Sequence, residues 1–320
     1  MLGDVMLGRG VADALRRGDP EQVWSPEVQA IARRCDLVIC NLECCVSQRG
    51  ERTARIPGKP FFFRAPPAAV ESLRAIGVGA VGLANNHALD YEEPALADTL
   101  ELLAQAGIAV AGAGADVTEA RRGALVDAGG ATLGLLAVSD HPLEFAARED
   151  APGIAHADLS RGVPGWLGDE LARLRSAADL VVAFPHWGPN MTTAPAGWQR
   201  RAAQQLVDAG ADLVAGHSAH VFHGAGWSDR GPLLYDLGDG LDDYAVDPAL
   251  RNDLGMMALW RPGAADREVE LVGLLLDFCR TELASGEDAE WIARRLDAAC
   301  RELGTSVERL AEQRFRVQPA

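Results

Sequence analysis

The sequence predicts an α/β fold built around a buried, mixed β-sheet. Segments with apolar residues at roughly i, i+3 and i+4 close with glycine, as amphipathic helices do. They alternate with short apolar runs that end in polar residues, and this alternation is typical of an α/β fold. These runs cover residues 35–43, 78–87, 131–140, 178–188 and 211–220. The apolar segments 231–239 and 254–260 have shorter connections, so we expect some antiparallel pairing as well.

The pattern changes near the C-terminus, from about Gly263 onward. Residues 266–280 predict a last strand and turn. Residues 287–304 and 306–316 read as two amphipathic helices. We expect one domain, in which residues 1–262 form the main body and residues 263–320 add a strand and a helical cap.

The charge of the chain restricts the classes of partner. Among 320 residues, 30 basic and 46 acidic side chains give a formal net charge of −16, and Lys59 is the single lysine. A negative field of this size disfavours extended binding to nucleic acid or to an anionic membrane. It leaves open a small anionic substrate held locally by an arginine or a metal ion.

The cysteines and the N-terminus bear on the cellular compartment. Four of the six cysteines crowd into residues 35–45 without a CxxC pair, so we expect reduced, buried thiols. No apolar run approaches the length of a membrane span. Asp4 and Arg9 interrupt any signal peptide, which favours a cytoplasmic location. Because the chain begins at what reads as the end of a strand, we expect the first strand to be truncated.

Polar side chains follow the end of each predicted strand. In open α/β sheets, ligands bind beyond the carboxyl ends of the strands. Carboxylates, amide oxygens and imidazoles are the ligands of divalent metal ions. Any single member has an ordinary explanation as a turn or structural residue, but the recurrence predicts a metal site. The residues are Asp4, Asn41, Glu43, Asn85, Asn86, His87, Asp140, His141, His186, His217 and His220.

Eight motifs occur in the order in which one protein family carries them. They are GDVMLGRG, NLE, KPFFFRAPP, LANNHALDY, GAGAD, HWGPNM, GHSAHVF and YDLGDGLDDYAVDPALRND. On these motifs the chain resembles the CapA family of poly-γ-glutamate capsule biosynthesis, and the resemblance covers about residues 3–262. That family is similar to the calcineurin-like metallophosphoesterases. The resemblance implies a four-layer α/β/β/α sandwich with mixed sheets and a metal centre, and it says less about the reaction.

The resemblance also implies roles for individual residues. His87 matches an acid/base histidine, and Glu43 matches a residue that bridges two metals. Arg9 is placed to take part in catalysis and to hold an anionic substrate group. The implied metal ligands are Asp4, Glu43, Asn86, His186, His217 and His220. The expected substrate contacts are Arg9, Asn85, Trp187 and Arg251, and Asn85 is also expected to shape its turn.

Three departures from the family patterns bear on the number of metal ions. Met6 stands where metallophosphoesterases have a histidine ligand, and GHSAH is one residue longer than their Gly-His-x-His motif. The chain reads DLGD where CapA proteins often read SLGN. We therefore expect one firmly held divalent ion and a second ion that is either weakly held or absent. The sequence leaves the identity of the metal open among Mn, Fe, Zn, Ca and Mg.

Three functions are consistent with these residues. The first is a metal-dependent hydrolase or transferase acting on an amide or a phosphoester. The second is a peptide epimerase that uses histidine acid/base chemistry, and the third is a non-catalytic accessory protein of capsule polymer assembly. We expect a small anionic or peptide substrate, no nucleic acid and no membrane span. The oligomeric state stays open. The acidic stretch 242–248 fits a metal site, a substrate mouth or a solvated loop.

Overall fold

The structure is a computed structural model that describes residues 1–262 and 268–320. The expected change of character at Gly263 therefore falls outside the described residues. The helices are α1 Arg9–Arg17, α2 Pro26–Ala32, α3 Ala69–Ala75, α4 Glu92–Gln105, α5 Val117–Arg121, α6 Gly165–Ala177, α7 Gly197–Asp208 and α8 Gly286–Glu302.

The strands form three larger sheets and two short pairs within the described residues. In chain order they are β1 Asp4–Val5, β2 Val38–Leu42, β3 Cys45–Val46, β4 Arg64–Ala65, β5 Val78–Gly82, β6 Ala109–Ala111, β7 Ala113–Gly114, β8 Ala124–Ala128, β9 Ala131–Ser139, β10 Gly153–Ile154, β11 Leu180–His186, β12 Leu213–Ala215, β13 Ala225–Trp227, β14 Pro232–Leu234, β15 Asp239–Leu241, β16 Leu254–Leu259, β17 Val269–Leu276, β18 Thr281–Leu283, β19 Thr305–Ala311 and β20 Arg314–Pro319.

The first sheet has the strand order β15-β1-β2-β5-β6, and all its pairs are parallel. Parallel strands bring their carboxyl ends to one edge of the sheet, where polar side chains can meet. The register places Asp4 beside Asn41 on one side and beside Asp239 on the other.

The second sheet has the order β13-β14-β12-β11-β9-β8. Its central strands are parallel, and its two outer strands pair antiparallel. The expectation of an α/β fold with mixed strand pairing is therefore confirmed.

The two sheets pack against each other through alternate residues of the second sheet. Leu135 and Ala137 of β9 belong to the core that contains the first sheet, whereas Leu136 and Val138 belong to the core under α6 and α7. This alternation follows from the two-residue period of a strand. The approach is close, since a Cβ atom on Gly82 of β5 would lie 2.8 Å from Phe184 Cδ1 of β11.

Several helices end at a glycine, as the sequence indicates. Gly77 after α3 has a φ of 72°, and Gly107 after α4 has a φ of 73°. These left-handed conformations cost little without a Cβ atom, so glycine ends the helix and lets the chain turn into the next strand.

The third sheet, β16-β17-β20-β19 with β18 on β17, forms the C-terminal part. Helix α8 packs on it and confirms the first predicted C-terminal helix. The second predicted helix, residues 306–316, is wrong: the segment forms the β19–β20 hairpin. Phe315 and Val317 are fully buried two residues apart, which is a strand period, and β20 pairs with β17.

Two further features of the described residues are the length and hydrophobicity of the helices and the state of the cysteines. None of the helices in residues 1–262 and 268–320 is both long and apolar enough to cross a lipid bilayer. The six cysteines are all free thiols, and four of them are buried.

Candidate metal centre

Asp4 is the central residue of a buried polar cluster at the carboxyl edge of the first sheet. Its side chain is 1% exposed. Its Oδ1 atom accepts a hydrogen bond of 2.7 Å from Asn41 Nδ2, across the β1–β2 pair. The parallel register also brings Asp239 alongside on β15. Strand pairing alone therefore concentrates oxygen atoms around Asp4.

A first group of candidate donors joins Asp4 to two histidines of the second sheet. His186 ends β11 and His217 follows β12, and the two residues pair across the extended ends of these strands. Asp4 Oδ1 lies 3.0 Å from His217 Nδ1 and 3.7 Å from His186 Nδ1. The two Nδ1 atoms are 2.9 Å apart. These three side chains could hold a metal ion.

A second group of candidate donors lies on the other side of the same carboxylate. It comprises Asp4, Glu43, His220 and Asp239, whose donor atoms lie within 4.8 Å of one another. His220 Nδ1 lies 2.8 Å from Asp239 Oδ1 and 3.5 Å from Asp4 Oδ2. The phenol of Tyr244 donates a hydrogen bond of 3.1 Å to Glu43 Oε2. Asp4 is thus common to both groups, whereas the expected bridging residue, Glu43, belongs to one.

The loop GHSAH has a strained backbone where it meets the cluster. Ser218 has a φ of 115° and His220 a φ of 58°, both in the left-handed region. The loop is held by carboxylates, since the Ser218 amide donates to Asp4 Oδ2 at 3.0 Å and the Ala219 amide donates to Asp236 Oδ2 at 2.8 Å. Backbone strain of this kind clusters at functional sites. The Ser218 and Ala219 amides thus bind two carboxylates directly before His220.

Unsatisfied buried atoms test whether a cation fits this cluster. Buried polar atoms almost always have hydrogen-bond partners. Within the described residues, the buried side-chain atoms without such a partner include Glu43 Oε1, Asn86 Oδ1, His217 Nε2 and Asp239 Oδ2 of this site. All four can act as lone-pair donors to a metal, in the oxygen and nitrogen set that divalent ions take. The residues present therefore fit a divalent ion.

The pKa shifts point in the same direction. Burial and the neighbouring Asp4 raise the pKa of Glu43 well above its ordinary value. Burial and the neighbouring Asp242 do the same for the pKa of Asp239. Burial disfavours the ionised form of Asp4 too, but His217 and His186 outweigh it and hold the pKa of Asp4 well below its ordinary value. Crowded carboxylates of this kind are relieved by a cation.

His87 lies beside the cluster but belongs to neither donor group. Its Nδ1 atom is 2.6 Å from Asp90 Oδ2, and its ring stacks on Phe63 with centroids 3.9 Å apart. Burial lowers the pKa of His87 to about 4, which the nearby Asp90 only partly offsets. The imidazole is therefore neutral near pH 7. Since a carboxylate only accepts, Nδ1 carries the proton and Nε2 has the lone pair.

Arg9, a predicted substrate contact, is partly exposed and lies among aromatic side chains. Its side chain is 38% exposed, and its Nε lies 3.3 Å from Asp243 Oδ1. The guanidinium lies 5.7–5.8 Å from the ring centroids of Phe61, Phe63 and Tyr244. Phe63 also stacks on His87, so Arg9 stands near the acid/base candidate with solvent access.

Two of the other predicted substrate contacts need correction because their side chains are buried. Trp187 is fully buried, and its Nε1 donates to Tyr235 O, so it is a core residue. Asn85 is also fully buried. Its amide donates to Asn41 Oδ1 and Leu42 O and accepts from the His87 backbone, so it shapes the turn.

The predicted role of Arg251 as a substrate contact also needs correction, because acidic side chains of this chain already bind its guanidinium. Its guanidinium pairs with Asp253 at 2.8 Å and with Asp288 at 2.6 Å. These two carboxylates, with the Asp253 hydrogen bond as the largest cause, raise its pKa above the ordinary value. A guanidinium bound in this way links the chain to α8 and has little capacity left for a substrate anion.

Sequence reasoning missed three residues that the structure brings to this site. Asp239 joins the second donor group, although DLGD reads as a departure from the family pattern. Asp90 binds His87, and its signal is the spacing of three residues after a histidine in a turn. Tyr244 reaches Glu43 from 201 residues away in sequence, and nothing local indicates that contact.

Fold and site together define an α/β protein with a buried cluster of carboxylates and imidazoles that could hold a metal ion. The chain belongs to the family described as bacterial capsule synthesis protein PGA_cap, whose model matches residues 1–244. The predicted CapA resemblance is thereby confirmed.

The chain is similar to two named relatives and to one solved structure. It is 30% identical over 369 residues to a probable polyglutamine synthesis accessory protein of Mycobacterium tuberculosis, covering 99% of this chain and 95% of the relative. It is 28% identical to the PGA biosynthesis protein CapA of Bacillus subtilis, covering 76% of this chain and 62% of that protein. A hypothetical protein from Thermus thermophilus matches at 16% identity, covering 88% of this chain and 94% of that one, with a TM-score of 0.44.

Proposed function

We propose that this chain is a metal-dependent enzyme of poly-γ-glutamate, capsule or peptide biosynthesis. It acts as a hydrolase or transferase on an amide or a phosphoester. The observation that carries the proposal is the pair of donor groups that share Asp4, with an oriented histidine beside them. The proposed architecture is the four-layer α/β/β/α sandwich of metallophosphoesterases, and the packing of the two larger sheets supports it.

The proposed ligands are Asp4, Glu43, His186, His217, His220 and Asp239, with Asn86 completing the set through its buried, unpartnered Oδ1. A divalent ion bound there supplies Lewis-acid polarisation of the scissile group. The second donor group has three carboxylates and one histidine, and the first has one carboxylate and two histidines. Because oxygen-rich and nitrogen-rich sites prefer different ions, the two positions are expected to differ in affinity.

His87 is the proposed proton carrier. Asp90 fixes the tautomer with the proton on Nδ1, which leaves Nε2 free to take a proton from a nucleophile or return one to a leaving group. Its lowered pKa keeps the imidazole neutral near pH 7, so Nε2 holds a lone pair that can accept a proton. Arg9 is proposed to bind an anionic group of the substrate, since it keeps solvent exposure beside the same aromatic residues.

Epimerisation is a second candidate, because a second imidazole is held by a carboxylate. His141 Nδ1 contacts Asp140 Oδ1, and the His141 ring lies 5.2 Å from the His186 ring of the first donor group. His87 lies instead near Tyr244, on the side of the second group. Two imidazoles suit removal of an α-proton by one and delivery of a proton by the other.

The test is a screen of the metal-loaded protein against a phosphodiester, a phosphomonoester and short poly-γ-glutamate, with a peptide incubated in D₂O as a fourth arm. Hydrolysis or transfer on one of the first three supports the main proposal, and deuterium at a peptide α-carbon without cleavage supports epimerisation. The matched control is Asp4→Asn. No turnover in any arm, or turnover equal to that of Asp4→Asn, would count against an enzyme.

A further inference from the structure

Lys59 is the single lysine in a chain that otherwise uses arginine for every basic side chain. Its side chain is only 7% exposed. A buried ammonium is costly unless partners surround it, so its contacts indicate why it is there. The ammonium lies 5.7 Å from the centroid of the Phe145 ring, which covers it on one side.

The ammonium makes two polar contacts, and both lead to the proposed catalytic turn. Lys59 Nζ lies 3.2 Å from Asp90 Oδ1. It also donates a hydrogen bond of 2.8 Å to the backbone carbonyl of Asn86. One cation thus connects the residue before His87 with the carboxylate that binds the His87 ring.

The other oxygen of Asp90 is already committed. Asp90 Oδ2 accepts from His87 Nδ1 at 2.6 Å and from the Phe63 amide at 2.6 Å. Asp90 Oδ1 has no hydrogen-bond partner among the described residues, so its ion pair with Lys59 compensates the charge of the buried carboxylate from this side. Without this cation, the Oδ1 side of the buried Asp90 carboxylate would lose its charged partner, and the contacts at Oδ2 would have to hold the carboxylate in place.

We propose that Lys59 is a positioning residue, which orients His87 through Asp90 and holds the turn that carries Asn86. This proposal rests on the proposed function, because it takes His87 as the proton carrier. A lysine suits the place better than an arginine. Its compact ammonium can face a backbone carbonyl and a side-chain carboxylate from different residues, whereas a planar guanidinium needs a matching fork.

The first experiment separates positioning from general stabilisation of the segment. Lys59→Met keeps the length of the side chain and removes the charge. The matched control is Arg55→Met, since Arg55 lies on the same segment and pairs with Glu92 and Glu93 but does not contact Asp90. We expect kcat of Lys59→Met to fall about 10- to 100-fold with KM unchanged, which is the usual effect of losing an orienting partner. Arg55→Met should keep its kcat.

Chemical rescue adds a readout that a purely structural role would not move. Lys59→Ala leaves space for a small cation, so ethylamine is expected to restore part of its turnover, and ethanol is not. A loss of turnover in Arg55→Met equal to that in Lys59→Met, with no rescue by ethylamine, would overturn the positioning role.

A second experiment needs no substrate and so separates this inference from the proposed function. The proton on His87 Nδ1 is expected to give a downfield NMR signal, assigned by its absence from His87→Gln. We expect this signal to be lost or broadened in Lys59→Met and retained in Arg55→Met. If it persists unchanged in Lys59→Met, the inference fails, whatever the turnover. If it disappears while no substrate is turned over, positioning stands and the proposed function fails.

Discussion

The Oδ1 atom of Asp4 lies 3.0 Å from the Nδ1 atom of His217, so β1 of the first sheet meets the end of β12 of the second. The other oxygen of Asp4 faces His220 at 3.5 Å. One carboxylate therefore stands between two groups of donors contributed by both sheets. This geometry makes the two groups separable by mutation.

The first prediction concerns metal stoichiometry. Asp4→Asn should weaken metal binding at both donor groups, because each uses this carboxylate. Asp239→Asn should weaken only the second group, which contains Asp239. Loss of one ligand is expected to cost about tenfold or more in affinity. Metal content of purified protein and calorimetric titration with Mn²⁺ would measure this.

The control for this prediction is Asp229→Asn, an exposed carboxylate that belongs to neither group. It should leave the stoichiometry unchanged. Equal losses in Asp4→Asn and Asp239→Asn would mean that the two groups act as one site.

The second prediction concerns His87. His87→Ala should reduce turnover about 10²- to 10⁴-fold, the usual contribution of a positioned acid/base group. It should keep most of the bound metal, since His87 belongs to neither donor group and its Nδ1 is bound to Asp90. Metal analysis and kcat are measured on the same preparation. Parallel loss of metal and turnover would make His87 a ligand.

The third prediction distinguishes the roles of Arg9 and Arg251, both of which the sequence analysis gives as substrate contacts. Arg9→Gln should raise KM for an anionic substrate with little change in stability, since Arg9 is 38% exposed. Arg251→Gln should leave KM unchanged and destabilise the fold by about 1 kcal/mol, because it breaks two partly exposed ion pairs. KM and thermal unfolding of both variants decide between these roles, and a raised KM in Arg251→Gln would restore it as a substrate contact.

Much of the site can be predicted because parallel strands impose it. Glu43, His186 and His217 each follow or end a strand, Asp4 lies on the two-residue strand β1, and the carboxyl edge of a sheet gathers such residues whatever the details of packing. The sequence does not indicate Asp239 as a ligand, because a strand-end aspartate in DLGD reads as a turn residue. Only its register with Asp4 on β1 gives it a metal-binding interpretation.

The wrong expectations have a different cause: burial and partners that are distant in sequence determine the role or the structure of these residues. Trp187 follows a predicted ligand, yet its indole faces Tyr235 in the core under α7. Arg251 donates a hydrogen bond to Asp288, which lies 37 residues later on α8. For residues 306–316, charged side chains are compatible with either a helix face or a hairpin. Pairing with β17 selects the hairpin.

The fourth prediction concerns acid stability. His223 is buried, and burial lowers its pKa from 6.5 to about 4 although Nε2 donates to Thr192 O. Because the unfolded histidine binds a proton more readily, stability should be lost as pH falls from about 6.5 to 4, by about 3 kcal/mol in total at 1.36 kcal/mol per unit. His223→Gln should show a shallower loss over this window in urea unfolding. Identical slopes for the two proteins would contradict the assignment.

The last prediction concerns how the substrate is held. The net charge of −16 should repel a long polyanion, at a cost that falls as salt screens it. Arg251 is bound to Asp253 and Asp288, whereas Arg9 is partly exposed and packs near Phe63, which stacks on His87. A short γ-glutamyl chain should therefore be engaged through one anionic group, such as its end.

The measurement compares binding and turnover of short and long γ-glutamyl oligomers at low and moderate salt. We expect affinity to level off after the first few residues, with a shallow salt dependence. Affinity that rises steadily with length, together with a steep salt dependence, would require an extended basic track and would contradict local recognition by Arg9.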